Sequence, residues 1–122
     1  MSKDPRVYLA QILERIERIE DFTRTGRESF FRELLIQDAV IRNFEVIGEA
    51  AKRVPKGFRE QHPEIPWRDL AAFRDVLIHQ YEGVSLEAVW STIAHNLPEV
   101  RRSLEALLPP LDELERELGG DQ

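Results

Sequence analysis

The chain has 122 residues, 42% of them hydrophobic, no cysteine, and a formal net charge of -6. That length supports one core and leaves too little chain for two, so residues 1–122 are read as a single domain, with no disulfide framework or thiolate metal site. The acidic balance argues against gripping long DNA by phosphate neutralisation alone, yet leaves room for RNA at a local basic cleft.

The first residues, Met1 to Pro5, are polar and run into charged sequence. Neither a secretory leader nor a membrane span is expected, and the domain is read as soluble and cytoplasmic, as the lack of cysteine also fits. Over residues 5–22, Leu9, Ile12, Ile16, Ile19 and Phe22 recur at steps of three and four among Glu and Arg, which predicts an amphipathic helix. Thr25 and Gly26 interrupt it. From about 28 to 54, Ile36, Val40, Phe44, Ile47, Ala51 and Val54 form the stripe of a second, longer helix expected to span the domain. Pro55 and Gly57 stop that helix, and the stretch through His62 and Pro63 to Pro66 reads as a loop with at most a short turn.

Pro66 suits the first turn of a third main helix running to about Tyr81, with Gly83 ending it. Ser85 is the expected N-cap of a fourth, whose Leu86, Val89, Ile93, Leu97, Val100, Leu104 and Leu107 keep a near-heptad spacing. Pro98 should kink or split that helix, and Pro109 with Pro110 should end it. Leu111, Leu114 and Leu118 then remain for a short terminal helix before a flexible tail over 119–122. No period-two alternation or Gly-rich phosphate loop is present. The expected fold is all-α, an antiparallel helical bundle of four main helices plus a short C-terminal helix, with its core at about 5–108. The apolar stripes are wide enough to suggest a homodimer packed through helices.

Chemistry concentrates on the third helix. Trp67, Arg74 and Tyr81 are seven apart and return to one face beside Leu70 and Leu77, so Arg74 sits on an apolar stripe. A guanidinium there needs a carboxylate partner or a place at a cleft or interface. His79 falls where the helix frays into a loop, suited either to capping or to acid–base work. His beside Arg and Tyr can cleave RNA without a metal. Imidazole deprotonates a ribose 2′-hydroxyl, Arg holds the phosphate, and imidazolium protonates the leaving oxygen. One His cannot do both jobs at once, whereas a twofold dimer would bring two copies into one cleft. Asp75, four residues before His79, either orients the ring, neutralises an Arg or is an ordinary surface carboxylate. Tyr81 offers a ring and a modifiable hydroxyl.

On the second helix, Asp38, Arg42, Glu45 and Glu49 form a polar stripe with Asn43 beside it and Gly48 in mid-helix. Such stripes are commonly solvated faces, but Arg42 and Asn43 are candidates to line the cleft of Arg74. Gly48 marks close packing by another element, because glycine inside a helix costs about 1 kcal/mol relative to Ala. His62 and His95 have no second ligand at metal spacing.

The run Arg74-Asp75-Val76-Leu77-Ile78-His79-Gln80-Tyr81 resembles the HepT-like toxins of the HEPN superfamily, whose hallmark is Arg, a short gap, His, and Tyr two residues on. Residues 38–53, the Pro66-Trp67 entry and the run from Gly83 to Trp90 are similar to the same family, so the likeness covers most of 5–108. It implies a HEPN-like dimeric bundle acting as a metal-independent endoribonuclease with no cofactor, Arg74 and His79 of both chains meeting at the interface. RNA, either tRNA or mRNA, is the implied substrate, with Asp75, Tyr81, Arg42 and Asn43 in support. A minimal nucleotidyltransferase antitoxin is the implied partner, able in some systems to adenylylate the tyrosine matching Tyr81. The competing reading is a non-catalytic helical partner of that nucleotidyltransferase, itself modified at Tyr81. A purely structural adaptor is a third, but gives no reason for Arg74 on an apolar stripe.

Overall fold

Asp4 starts the first helix by accepting the backbone N–H of Arg6 at 2.9 Å, while Pro5 sits in the first turn, where its missing N–H loses no partner. In the computed structural model, which describes residues 4–79 and 83–119, this helix (α1) runs Pro5–Phe22. It buries Leu9, Ile12, Ile16 and Ile19 as the spacing predicts, and Leu13 beside them, whereas Phe22 at its end stays 40% exposed. Thr23 closes it with a hydroxyl donating to the Ile19 carbonyl at 2.7 Å. Gly26, at φ 102°, then turns the chain through the left-handed region that side chains rarely adopt.

The single helix expected over 28–54 is in fact two, α2 (Arg27–Arg32) and α3 (Leu34–Arg53), separated by Glu33 in extended conformation. Buried Gln37 makes the break tenable. Its amide N–H donates to the carbonyls of Phe30 and Phe31 at 3.0 and 3.2 Å, satisfying groups the end of α2 would leave unpaired. Phe30 is thereby fully buried, with Trp90 at 5.5 Å, and Leu34 and Leu35 are left on the surface.

The loop expected over 55–66 also contains more structure than the prolines imply: α4 (Lys56–Gln61) is a six-residue helix entered from Pro55. Phe58 stacks on His62 at 4.5 Å, and the Trp67 indole N–H donates to the His62 carbonyl at 2.9 Å, fixing the entry to α5 (Trp67–His79). After Gly83, the Ser85 hydroxyl accepts the Ala88 N–H at 3.1 Å and starts α6 (Leu86–Ser91). Ser85→Ala should therefore lower stability by about 1 kcal/mol, read as a shifted denaturant midpoint.

A widened π turn, Thr92–Asn96, follows before α7 (Leu97–Leu107), and the Leu97 N–H reaches back to the Thr92 carbonyl. This turn is how Pro98 splits the fourth helix: proline has no N–H for the Ala94 carbonyl, and the wider turn relieves that demand. Finally, α8 (Leu111–Gly119) buries Leu114. The helix α3 is central, packed against α1 and α5, while α7 leans on α1 through an Arg101–Glu20 ion pair. No strand occurs among the described residues, and no described helix is long and apolar enough to cross a membrane. The architecture is the all-α bundle expected.

Candidate functional site

The contact between α3 and α5 places Arg74. A Cβ added to Gly48 would lie 2.2 Å from Arg74 Cβ and 2.8 Å from the Leu70 carbonyl oxygen. Glycine at 48 is thus what lets the backbone of α5 approach α3 this closely. The edge-to-face pair Phe44–Phe73, with centroids 5.0 Å apart, and buried Leu70 and Leu77 hold the same contact. Arg74 is therefore carried on a rigid helix pair, with its side chain 25% exposed.

Its guanidinium meets two carboxylates, Glu49 of α3 and Asp75 of α5, both at 3.1 Å. Glu49 also pairs with Arg53 at 3.3 Å, and Asp75 accepts from Lys52 Nζ at 3.0 Å. The Lys52 hydrogen bond first, and Arg74 after it, hold the Asp75 carboxyl below its usual range by favouring its ionised form. Of the roles open to Asp75, neutralising neighbouring cations is the one its contacts serve.

Beside Arg74 opens a polar cleft of about 450 Å³ between α1, α3 and α5. Arg42 and Arg74 both line it, together with Arg15, Arg53, Glu45 and Glu49. Asn43 is not among its lining residues. Only 5% exposed, it turns towards α1, where its Oδ1 accepts from Arg15 Nη1 at 3.3 Å and its amide N–H donates to the Ala39 carbonyl at 2.7 Å. His79 is exposed at the last residue of α5 and does not line the cleft, although its neighbour Ile78 does. Tyr81 lies outside the described residues.

Arginines from three helices thus converge on one pocket of an otherwise acidic chain, an arrangement able to hold a phosphodiester. Sequence reasoning missed Arg15 and Arg53. Arg53 continues the Arg42, Glu45, Glu49 stripe by one more step of four and was within reach of that pattern. Arg15 gains its meaning only from the packing of α1 on α3. A larger cavity of about 630 Å³, between α5 and α7 over Phe44 and Ile47, holds none of the candidate residues. Among the described residues, no group of three or more His, Asp or Glu side chains is placed to hold a metal ion.

Residues 12–107 match the family model described as "Ribonuclease HepT-like". The chain is 44% identical over 108 residues to the "Probable ribonuclease HepT" of Thermococcus cleftensis, covering 88% of this chain and 98% of that protein. It is 42% identical over 113 residues to a Methanocaldococcus jannaschii protein named "Gamma-glutamylcyclotransferase and putative RNase", covering 92% of this chain. Of that protein's length the match takes in only 51%. A "Putative RNase" of Caldanaerobacter subterraneus is 40% identical over 107 residues, 87% of this chain and 96% of that one. No solved structure matches the chain.

Proposed function

This chain belongs to the ribonuclease HepT-like family, and from that premise we propose that it is a metal-independent endoribonuclease, the toxin of a type II-like toxin–antitoxin pair acting in the cytoplasm. The observation that carries this reading is Arg74, fixed by the Gly48 contact at an arginine-lined cleft, with exposed His79 ending the same helix. Arg74 holds the scissile phosphate. One His79 takes the 2′-hydroxyl proton, the 2′-oxygen bonds to phosphorus, and the bond to the 5′-oxygen breaks as a second imidazolium protonates that oxygen. The second imidazole is the His79 of a twofold partner, and Val76 and Ile78, 45% and 39% exposed on α5, are apolar surface such a homodimer would cover. A minimal nucleotidyltransferase is the antitoxin, with Tyr81 the residue it adenylylates.

The chemistry predicts its products. Purified protein given tRNA or mRNA in excess EDTA should yield fragments ending in 2′,3′-cyclic phosphate and beginning with 5′-hydroxyl. RNA left intact, or cleavage that EDTA abolishes, would count against the mechanism.

The double pairing of Arg74 with Glu49 and Asp75 favours a second reading, a non-catalytic helical partner of the nucleotidyltransferase, adenylylated at Tyr81. Under it RNA stays intact, while label from ATP enters the protein in the presence of the nucleotidyltransferase and is lost in Tyr81→Phe.

A further inference from the structure

The cleft arginines are not equivalent. Arg42 pairs with Glu45 at 3.4 Å, Arg53 with Glu49 at 3.3 Å, and Arg74 with both Glu49 and Asp75 at 3.1 Å. Among the described residues, Arg15 is the cleft arginine with no carboxylate at ion-pair distance. What it has instead is a neutral support. The buried Asn43 commits its amide N–H to the Ala39 carbonyl, which fixes its Oδ1 as the acceptor presented to Arg15. An amide oxygen orients a guanidinium without cancelling its charge. The other N–H donors of Arg15 therefore remain available to an anion, on a side chain that has already lost some of its freedom.

We propose that Arg15 is a phosphate-contacting residue of this cleft, with Asn43 as its positioning residue, and that it grips an RNA strand by a phosphate next to the one at Arg74. The RNA part rests on the ribonuclease reading above; the anion site does not. Arg15 comes from α1 and Arg74 from α5, both helices pack on α3, and both arginines line this cleft, so a strand lying in it can meet both. A phosphate gains most from the cation whose charge is not already matched. Arg15 thus contributes to binding, separately from the acid–base work assigned to His79.

The test is the salt dependence of binding. A single-stranded RNA oligonucleotide is titrated at several salt concentrations with full-length protein carrying His79→Ala, so that RNA survives, and with the same protein also carrying Arg15→Gln or Arg15→Lys. Arg15→Gln is expected to weaken binding about tenfold at low salt and to flatten the slope of log K against log salt by about 0.7, the share of one single-strand phosphate contact. Arg15→Lys should restore the slope, since it keeps the charge. An Arg15→Gln protein with the parent's affinity and slope overturns the proposal. If the His79→Ala parent does not bind RNA and the protein of natural sequence does not cut it, the ribonuclease reading fails by itself, and inorganic pyrophosphate decides the anion site by calorimetry. Binding heat present in the parent and lost in Arg15→Gln supports the site; equal heat in both, or none in the parent, overturns it.

Discussion

Replacing His79 by Ala is expected to give a folded protein that no longer cuts RNA. The two halves of that statement rest on different observations. His79 is exposed at the end of α5, so truncating it uncovers no core, and the change in stability should stay within about 0.5 kcal/mol. In the proposed mechanism, however, it is the group that moves protons at both ends of the reaction. Loss of positioned acid–base catalysis lowers rates by about 10²–10⁴, and with the same side chain removed from both protomers the upper part of that range applies. Induced expression in bacteria gives the readout: growth arrest with tRNA or mRNA fragments for the natural sequence, normal growth and intact RNA for His79→Ala at matched soluble protein. Arrest and cleavage that persist in the folded variant would remove His79 from the mechanism.

The parts of the fold that were legible in the sequence are those set by repetition or by a single restrictive residue. Ile12, Ile16 and Ile19 recur at helical spacing because one face of α1 is buried from Leu9 to Ile19. Ser85 caps α6 because few side chains can accept a first-turn N–H, and Pro98 forces the π turn because it has no N–H to give. Glu33 lacks any such mark. The chain breaks there because Gln37, buried beyond the break, pairs the carbonyls of Phe30 and Phe31, a reason visible only once α2 has folded back. α4 was hidden for the opposite cause: Pro55 and Pro63 bound the segment Lys56–Gln61, whose interior holds no proline to prevent a helix. In the candidate site, Arg74 was legible as a charge on an apolar stripe. Asn43 was a candidate for the cleft and Arg15 carried no mark of its own, and only the packing of α1 on α3 joins them.

Gly48→Ala separates two effects of opposite sign, and the sign of the result tests the geometry that positions Arg74. In an exposed helix the substitution would stabilise by about 1 kcal/mol, since alanine has the higher helix propensity and restricts the unfolded chain. Here the new methyl meets Arg74 Cβ at 2.2 Å and the Leu70 carbonyl oxygen at 2.8 Å, and neither is the free end of a flexible side chain. Relief requires α5 to move away from α3, loosening Phe73 on Phe44 and the burial of Leu70 and Leu77. Overpacking of this kind costs about 1–3 kcal/mol or more, which outweighs the propensity gain, and a net loss of roughly 1–2 kcal/mol is expected. The same movement carries the Arg74 guanidinium off Glu49 and away from the cleft. Displacing a phosphate-holding group by about 1 Å can lower the rate about a hundredfold, so RNA cleavage should fall far more than the fraction of folded protein does. Denaturant unfolding and a cleavage assay at a temperature where the variant is fully folded measure the two effects apart. A Gly48→Ala protein more stable than the natural sequence would mean that α5 does not approach α3 this closely. One that is destabilised yet cleaves at the natural rate would mean that the position of Arg74 does not govern the reaction.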